Sequence, residues 1–423
     1  MTTEQLAGGR LTIDLDAIVR NWKMMDGLSR PGWAAAVVKA DAYSLGATAI
    51  APALQKAGCG TFFVALPEEG FSLRSVLPDQ DVRIFCFNGM EGSTGKELIY
   101  HRVFPVISEH KTLEKWCSAW HDHSGNEPIP LALMFDTGMT RLGFDWDGNT
   151  NGQPVLERSP GAKMPSSANV ICMSHYACAD DPSHKKNDEQ HDRFVHVICG
   201  TDLRGDKNGE LKGSVLPSMS NSAALVGGAR KVSDTVGPEL SRPGIALYGG
   251  EACDPNQVTN PAQNPIRLEA RIVQVRKPQQ GETVSYGGTH TVGRDMKIAV
   301  VSVGYADGYP RAGSGSGTAL REAGSMGMFG FIAGKRVPVV GRVTMDLTMF
   351  NVTDVDDKDL DGGWIELIGD NVPLDQVARA SGTIGYEILT SIGPRYARNY
   401  VGGEAIEPDP ERPRPPDFPI LRL

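Results

Sequence analysis

The stretch Ala34–Ala47, AAAVVKADAYSLGA, decides how the rest of the chain is read. It opens with an apolar run, Ala34 to Val38, and ends that run in a lone cation, Lys39. It then breaks into a polar turn from Ala40 to Ser44, closed by Gly46. A short apolar run bounded by turn residues fits a strand buried on both faces, as in a parallel sheet. A lysine at its exit sits where the apolar interior meets solvent. Burial there lowers the pKa of the amine and makes it usable as a nucleophile or base. Taken alone, Lys39 reads first as a solvated strand end, because most lysines are surface residues.

Bulk properties narrow the class. A chain of 423 residues, 40% hydrophobic and 22% charged, is long enough for two or three domains with ample core. A net charge of -9 argues against nucleic acid or an anionic membrane as partner. There is no 18-residue apolar run, so no membrane span is expected. The N-terminus lacks a basic segment followed by an apolar one, so no secretory signal is expected and the chain reads as cytoplasmic. The seven cysteines are scattered and show no metal-ligand spacing, which fits a reduced protein with no structural metal.

Outward from Lys39 the same theme recurs. Leu11 to Leu15 alternates like a strand, with Asp16 as N-cap of the helix that follows. Ala47 to Gly58 reads as a helix. Thr61–Ala65, Val82–Phe87, Arg102–Ile107, Leu131–Phe135 and Ala168–Met173 are further apolar runs, most of them separated by helix-compatible segments. Strands alternating with helices over residues 1–250 predict a (β/α)8 TIM barrel, whose chemistry lies at the C-terminal ends of its strands. Lys39, Asp136, His175 and Arg242 all fall just after such runs. From about residue 251 the runs become strand-like and glycine-separated, so 251–404 reads as a mainly β domain, joined through EACDPNQVTNPAQNP. Residues 405–423 form a proline-rich tail, while 145–168 and 202–213 read as surface insertions and 311–317 as a flexible loop.

Polar clusters interrupt this framework. They are DTGMTRLG at 136–143, SHYA at 174–177, SNSAA at 220–224, RPGIALYG at 242–249, VSYGG at 284–288, GYADGYPR at 304–311, GRVTMD at 341–346 and IGYEILT at 384–390. Together with KADAYSLGA this set, in this order, resembles the alanine racemase family. These are pyridoxal-phosphate enzymes with a (β/α)8 barrel and a C-terminal β domain. The resemblance runs from Leu11 to about Tyr400. It implies a racemase interconverting L- and D-alanine, serving peptidoglycan synthesis or D-alanine catabolism.

The resemblance also implies roles. Lys39 would hold pyridoxal 5'-phosphate through its amine. Tyr43, Ser222, Tyr386 and the backbone N–H groups of Gly244 and Ile245 would hold the phosphate, with His175 against the pyridine ring. Arg242 would face the ring nitrogen. A guanidinium keeps its protons, so that nitrogen would stay unprotonated and the ring would be a weaker electron sink, favouring return of the proton to Cα over transamination. Lys39 and Tyr286 would be the two opposed bases, acting on the D- and L-enantiomers respectively. Phenols are poor bases at neutral pH, so Arg141 or His175 would have to assist Tyr286. Arg141 and the backbone at Met345 would bind the substrate carboxylate. Tyr305 and Tyr386 would narrow the entrance. Tyr286, Tyr305, Met345 and Asp346 would come from a neighbouring subunit, giving a head-to-tail homodimer with shared sites.

Three positions depart from the family pattern: Met134 in place of a lysine that can be carbamylated, Ser218 in place of a histidine behind the arginine, and Ser44 in place of a glycine. The first leaves the support of Arg141 open, a bound anion being one solution. A racemase of broader specificity is a rival reading. A decarboxylase of the same plan would need an acidic group at the ring nitrogen and a cysteine near the interface, against Arg242 and VSYGG. Short single-barrel pyridoxal-phosphate carriers lack the second domain.

Overall fold

The computed structural model describes residues 6–407 except 80, 91, 93, 125–129, 147–169, 201–214, 230–231, 316–326 and 405. The insertion 145–168 from residue 147 onward, the insertion 202–213, the end of the glycine-serine loop and the tail from 408 onward therefore lie outside the described residues.

Parallel strands Ala36–Val37, Thr61–Val64, Arg83–Cys86, Val103–Ile107, Leu131–Asp136, Val170–Met173 and Val215–Ser218 pair side by side in that order. All but the edge residue Val215 and the final Asp136 are buried on both faces, as expected where helices cover a parallel sheet. Closure is made by a two-residue strand. Leu240–Ser241 pairs in parallel with Trp33–Ala34, and Arg242 bridges Asn221 at the end of the seventh strand. The sheet thus curls into a (β/α)8 barrel.

The first strand belongs elsewhere. Gly9–Asp14 lies in the sheet of the C-terminal half, antiparallel to Ile266–Arg276 and parallel to Ala397–Val401, and not in the barrel. Its alternating burial marks a strand with one face on the core, unlike the doubly buried barrel strands. The N-cap expectation also shifts: Asp14 caps helix Leu15–Leu28 by accepting from the Ala17 N–H at 2.9 Å, while Asp16 accepts from the Gly403 N–H. The rest of this mainly β half is built on Ile266–Arg276, which also pairs with Trp364–Ile368 and Ile298–Val301. Strands Phe329–Ile332, Thr348–Asn351 and Ala397–Val401 also belong to this half.

A continuous apolar cluster joins the two halves, from Leu11 and Ile13 through the barrel to Leu374. Asn21 stitches the junction, donating to the Leu247 and Gln263 carbonyls at 3.1 and 2.9 Å. Among the described residues no helix is long and apolar enough to cross a membrane.

The closing pair is tight. A Cβ at Gly32 would stand 2.0 Å from the Glu239 carbonyl oxygen, whereas one at Gly27, on helix Leu15–Leu28, would meet nothing within 4 Å. Gly32→Ala is expected to lower stability in urea unfolding by about 2–4 kcal/mol through backbone displacement. Gly27→Ala is expected to raise it by roughly 0.5 kcal/mol through helix propensity. Equal effects at the two positions would contradict this account of closure.

Candidate active site

At the C-terminal end of the barrel lies a cavity of about 360 Å³, on the scale of a small-molecule site. Lys39, Tyr43, Arg141, His175, Ser222, Arg242, Gly244, Ile245 and Tyr386 all line it. All but Tyr386, which comes from helix Gly385–Thr390 of the β half, stand where a barrel strand ends or in the segment that follows, so the barrel converts scattered sequence positions into one ring of groups.

Lys39 leaves its strand between the closing strand and the second one. Val37 N–H donates to the Pro243 carbonyl and Val38 N–H to the Phe63 carbonyl. The Lys39 ammonium stands 5.8 Å from the Phe87 ring centroid. Burial and the positive charge of Arg141 lower its pKa, and Glu69 opposes them. Beyond it, Ala40, Asp41, Ala42, Tyr43 and Ser44 all have positive φ, from 52° to 63°. A left-handed turn costs L-residues about 1–2 kcal/mol each, so long-range contacts must hold it. Arg398 donates to the Ser44 carbonyl, Tyr400 to the Leu45 carbonyl at 2.9 Å, and Ser44 Oγ to the Thr390 carbonyl at 3.1 Å. The serine that departs from the family glycine therefore adopts a backbone conformation that glycine takes more easily, and uses its hydroxyl to hold it.

Tyr43 is buried against Tyr248, ring centroids 4.7 Å apart, and Tyr386, 6.0 Å. Burial pushes both the Tyr43 and Tyr386 phenols up, the latter to about 12. The Tyr43 hydroxyl approaches Gly244 so closely that a Cβ there would stand 2.4 Å from it. Ser222 Oγ accepts from the Gly244 N–H at 2.9 Å and from the Ala246 N–H at 3.4 Å. Two hydroxyls and backbone N–H groups therefore converge on one corner, an arrangement suited to an anion.

Arg242 is fully buried. One terminal nitrogen donates to the Ser174 carbonyl at 2.6 Å and reaches His175 Nδ1 at 3.3 Å; the other donates to Ser218 Oγ, which donates on to the Leu240 carbonyl. Ser218 thus supports the arginine directly. Burial brings the guanidinium pKa to about 10, so it stays charged at neutral pH, and its Nε has no protein partner. Burial and the cations Arg242, Arg141 and Lys39 hold His175 well below the ordinary histidine value, so the ring is neutral.

Arg141 lies in a loop shaped by Asp136 Oδ1, which accepts from the N–H groups of Gly138, Met139 and Thr140 at 2.8 to 3.0 Å. Met134 lines the same wall and offers a thioether in place of a charge. Two residues escaped the sequence reading. Asn221 reaches His175 Nε2 at 3.4 Å. Gln190 is fully buried, accepting from the Ala177 N–H at 2.8 Å and donating to the His175 carbonyl at 2.9 Å. A polar residue on the apolar face of helix Lys186–Gly200 was its sole signal.

Tyr286, Tyr305, Met345 and Asp346 do not line this cavity. Tyr286 is 72% exposed, Met345 54% and Tyr305 42%. All four lie on the β half. Tyr305 and Ala306 N–H groups donate to the Thr344 and Met345 carbonyls, and Arg395 joins Asp346 at 2.9 Å to Asp307 at 2.6 Å.

Family models described as the N-terminal and C-terminal domains of alanine racemase match residues 13–252 and 265–400. The chain belongs to the alanine racemase family. An alanine racemase of Rhizobium meliloti (strain 1021) is 44% identical to this family member, covering 94% of this chain and 98% of its own. A biosynthetic alanine racemase of Agrobacterium fabrum (strain C58 / ATCC 33970) is 42% identical, covering 93% of each. The crystal structure of alanine racemase from Bartonella henselae with covalently bound pyridoxal phosphate is 32% identical, with a TM-score of 0.76, covering 93% of this chain and all of that one.

The electrostatics of this alanine racemase fold predict a selective amine. Because burial and Arg141 both disfavour the ammonium, a larger fraction of Lys39 is neutral at pH 8 than of solvated lysines. In ligand-free protein, trinitrobenzenesulfonate, which attacks neutral amines, is expected to label Lys39 ahead of surface lysines by peptide mapping. Arg141→Met removes a nearby cation, raises the Lys39 pKa and should slow that labelling. Labelling unchanged or faster in the variant would contradict the assignment.

Proposed function

We propose that the chain racemises alanine with pyridoxal 5'-phosphate held on Lys39, as a cytoplasmic homodimer that shares its active sites. The observation that carries this reading is the meeting of three features in one cavity. These are a desolvated lysine amine, a glycine-lined cradle of hydroxyl and N–H groups, and a buried arginine with an unpartnered Nε. A cofactor with an aldehyde, a phosphate and an unprotonated ring nitrogen satisfies all three.

When bound, the cofactor supplies an electron-withdrawing ring that acidifies the substrate Cα proton. The chain's own residues divide the remaining work. Tyr43, Ser222 and the N–H groups of Gly244 and Ile245 bind phosphate, with Tyr386 closing that corner. Arg242 keeps its protons and would donate to a ring acceptor of the cofactor, leaving that acceptor uncharged. Proton return at Cα is thereby favoured. Neutral His175 would flank the cofactor ring without adding a cation. Arg141 binds the substrate carboxylate, together with the backbone of the partner subunit's Met345. Lys39 Nζ takes or returns the Cα proton on one face, and the partner subunit's Tyr286 serves the other. The exposure of Tyr286, Tyr305 and Met345 in the single chain supports that division, because these groups are available to another subunit's cavity. Asp346, tied through Arg395 to Asp307, steadies the loop that carries Met345.

Purified protein is expected to be yellow, and borohydride should fix the cofactor to Lys39 in peptide mapping. Tyr286→Phe should keep the absorbance and lose racemisation by about 10²-fold or more. Full activity in that variant would misplace the second base. A racemisation assay across alanine, serine and larger amino acids tests the substrate, and loss of carbon dioxide without racemisation would favour a decarboxylase.

A further inference from the structure

The left-handed turn after Lys39 begins at Ala40, and a carboxylate from another strand's loop holds its first N–H. Glu69 Oε1 accepts from the Ala40 N–H at 2.8 Å. Its other oxygen, Oε2, accepts from the Ala65 N–H at 2.7 Å and the Leu66 N–H at 3.2 Å. Ala65 follows the second barrel strand and lines the cavity. Glu69 stands at the third position of helix Pro67–Val76, whose N-cap is Leu66. A capping glutamate returns to the N-cap N–H, which accounts for the Leu66 contact alone. The bonds to Ala65 and Ala40 go beyond capping and tie together the loops that follow the first two barrel strands.

We propose that Glu69 is the positioning residue for Lys39, fixing the first left-handed residue and so the direction in which the lysine side chain leaves its strand. The inference rests on the reading that Lys39 carries the cofactor and moves the Cα proton. The carboxylate does this with both oxygens at once. A glutamine has one accepting oxygen and would turn an NH2 group toward one of the N–H sets. An aspartate keeps the charge but is a methylene too short to span both loops.

Glu69 also sets the charge around the amine. From the segment after the fifth strand come Asp136 and Arg141, after the sixth His175, and after the closing strand Arg242. From the turn itself comes Tyr43, the Asp41 carboxylate instead accepting from the Ala47 N–H at 2.7 Å, and from the β half Tyr386. Arg141 lowers the Lys39 pKa and Glu69 raises it, so removing the Glu69 charge shifts the lysine nitrogen toward losing its proton at lower pH.

The test uses holoenzyme variants Glu69→Gln and Glu69→Asp, with thermal melts, kcat and KM, and the pH midpoint of the bound-cofactor absorbance. Glu69→Gln is expected to lose kcat by about 10- to 100-fold with KM changed far less, and to titrate at lower pH than wild type. Glu69→Asp should keep the wild-type midpoint and still lose kcat. A capping role alone would lower the melting temperature of both variants and leave the midpoint and kcat unmoved. A Glu69→Gln enzyme with wild-type midpoint and kcat overturns the inference. If that variant does not fold, wild-type kcat in Glu69→Asp overturns it equally. A Lys39→Ala protein that still binds cofactor with the wild-type absorbance would instead remove the underlying reading, whatever the Glu69 variants do.

Discussion

The structure depends on one short pairing, Leu240–Ser241 against Trp33–Ala34. Two residues of parallel strand supply little ladder energy, so neighbouring groups reinforce the seam. Tyr248 donates to the Val37 carbonyl at 2.9 Å, the hydroxyls of Ser29 and Ser241 meet in the core, and the Trp33 N–H donates to the Glu239 carbonyl at 2.9 Å. Closure is also what makes the site. It brings the segment carrying Arg242, Gly244 and Ile245 beside the strand that ends in Lys39. An open sheet of the same strands would leave the lysine and the anion cradle at opposite edges.

The cavity that results is electrically lopsided. Lys39, Arg141 and Arg242 gather around a neutral histidine, and burial acts on two of the three cations. Such a field draws anions and costs the folded chain stability. The unpartnered Nε of Arg242 alone forfeits about 1–3 kcal/mol of unmet hydrogen bonding. A ligand bearing a phosphate, a carboxylate and a ring acceptor would recover part of this. Affinity for an anionic cofactor and reduced stability of the empty protein therefore have the same origin.

Much of this was legible in the sequence, and what was not has physical reasons. The apolar runs ending in Lys39, Asp136 and His175 announced barrel strands because burial on both faces removes polar alternation. The closing strand was too short for any period to register. Leu11 to Leu15 read as a strand and most of it lies in strand Gly9–Asp14, but the partners of that strand lie some 250 and 390 positions downstream, and no local pattern says which sheet a strand joins. Left-handed residues are usually announced by glycine. Ala40 to Ser44 contains none, and the contacts that hold the turn come from Glu69, Arg398 and Tyr400, all distant in sequence. Gln190 and Asn221 act on His175 through contacts that only the folded chain creates.

Racemisation needs a proton carrier on each face of a planar carbon, and within one chain the described cavity offers a poor choice for the second. His175 is neutral but is already engaged by Arg242 on one nitrogen and Asn221 on the other. Tyr43 is a buried phenol and Tyr386 a partly exposed one, and desolvation pushes the ionisation of both upward. Asp136 is committed to three backbone N–H groups. Lys39 is an amine with a lowered pKa at the cavity wall. The Tyr286 group lies on the β half, outside this cavity. On the two-subunit reading the barrel supplies the cofactor seat and one base, and assembly supplies the other. The racemase would then be switched on by association, and the strained turn at Lys39 would be braced by its own β domain through Arg398 and Tyr400, before any partner arrives.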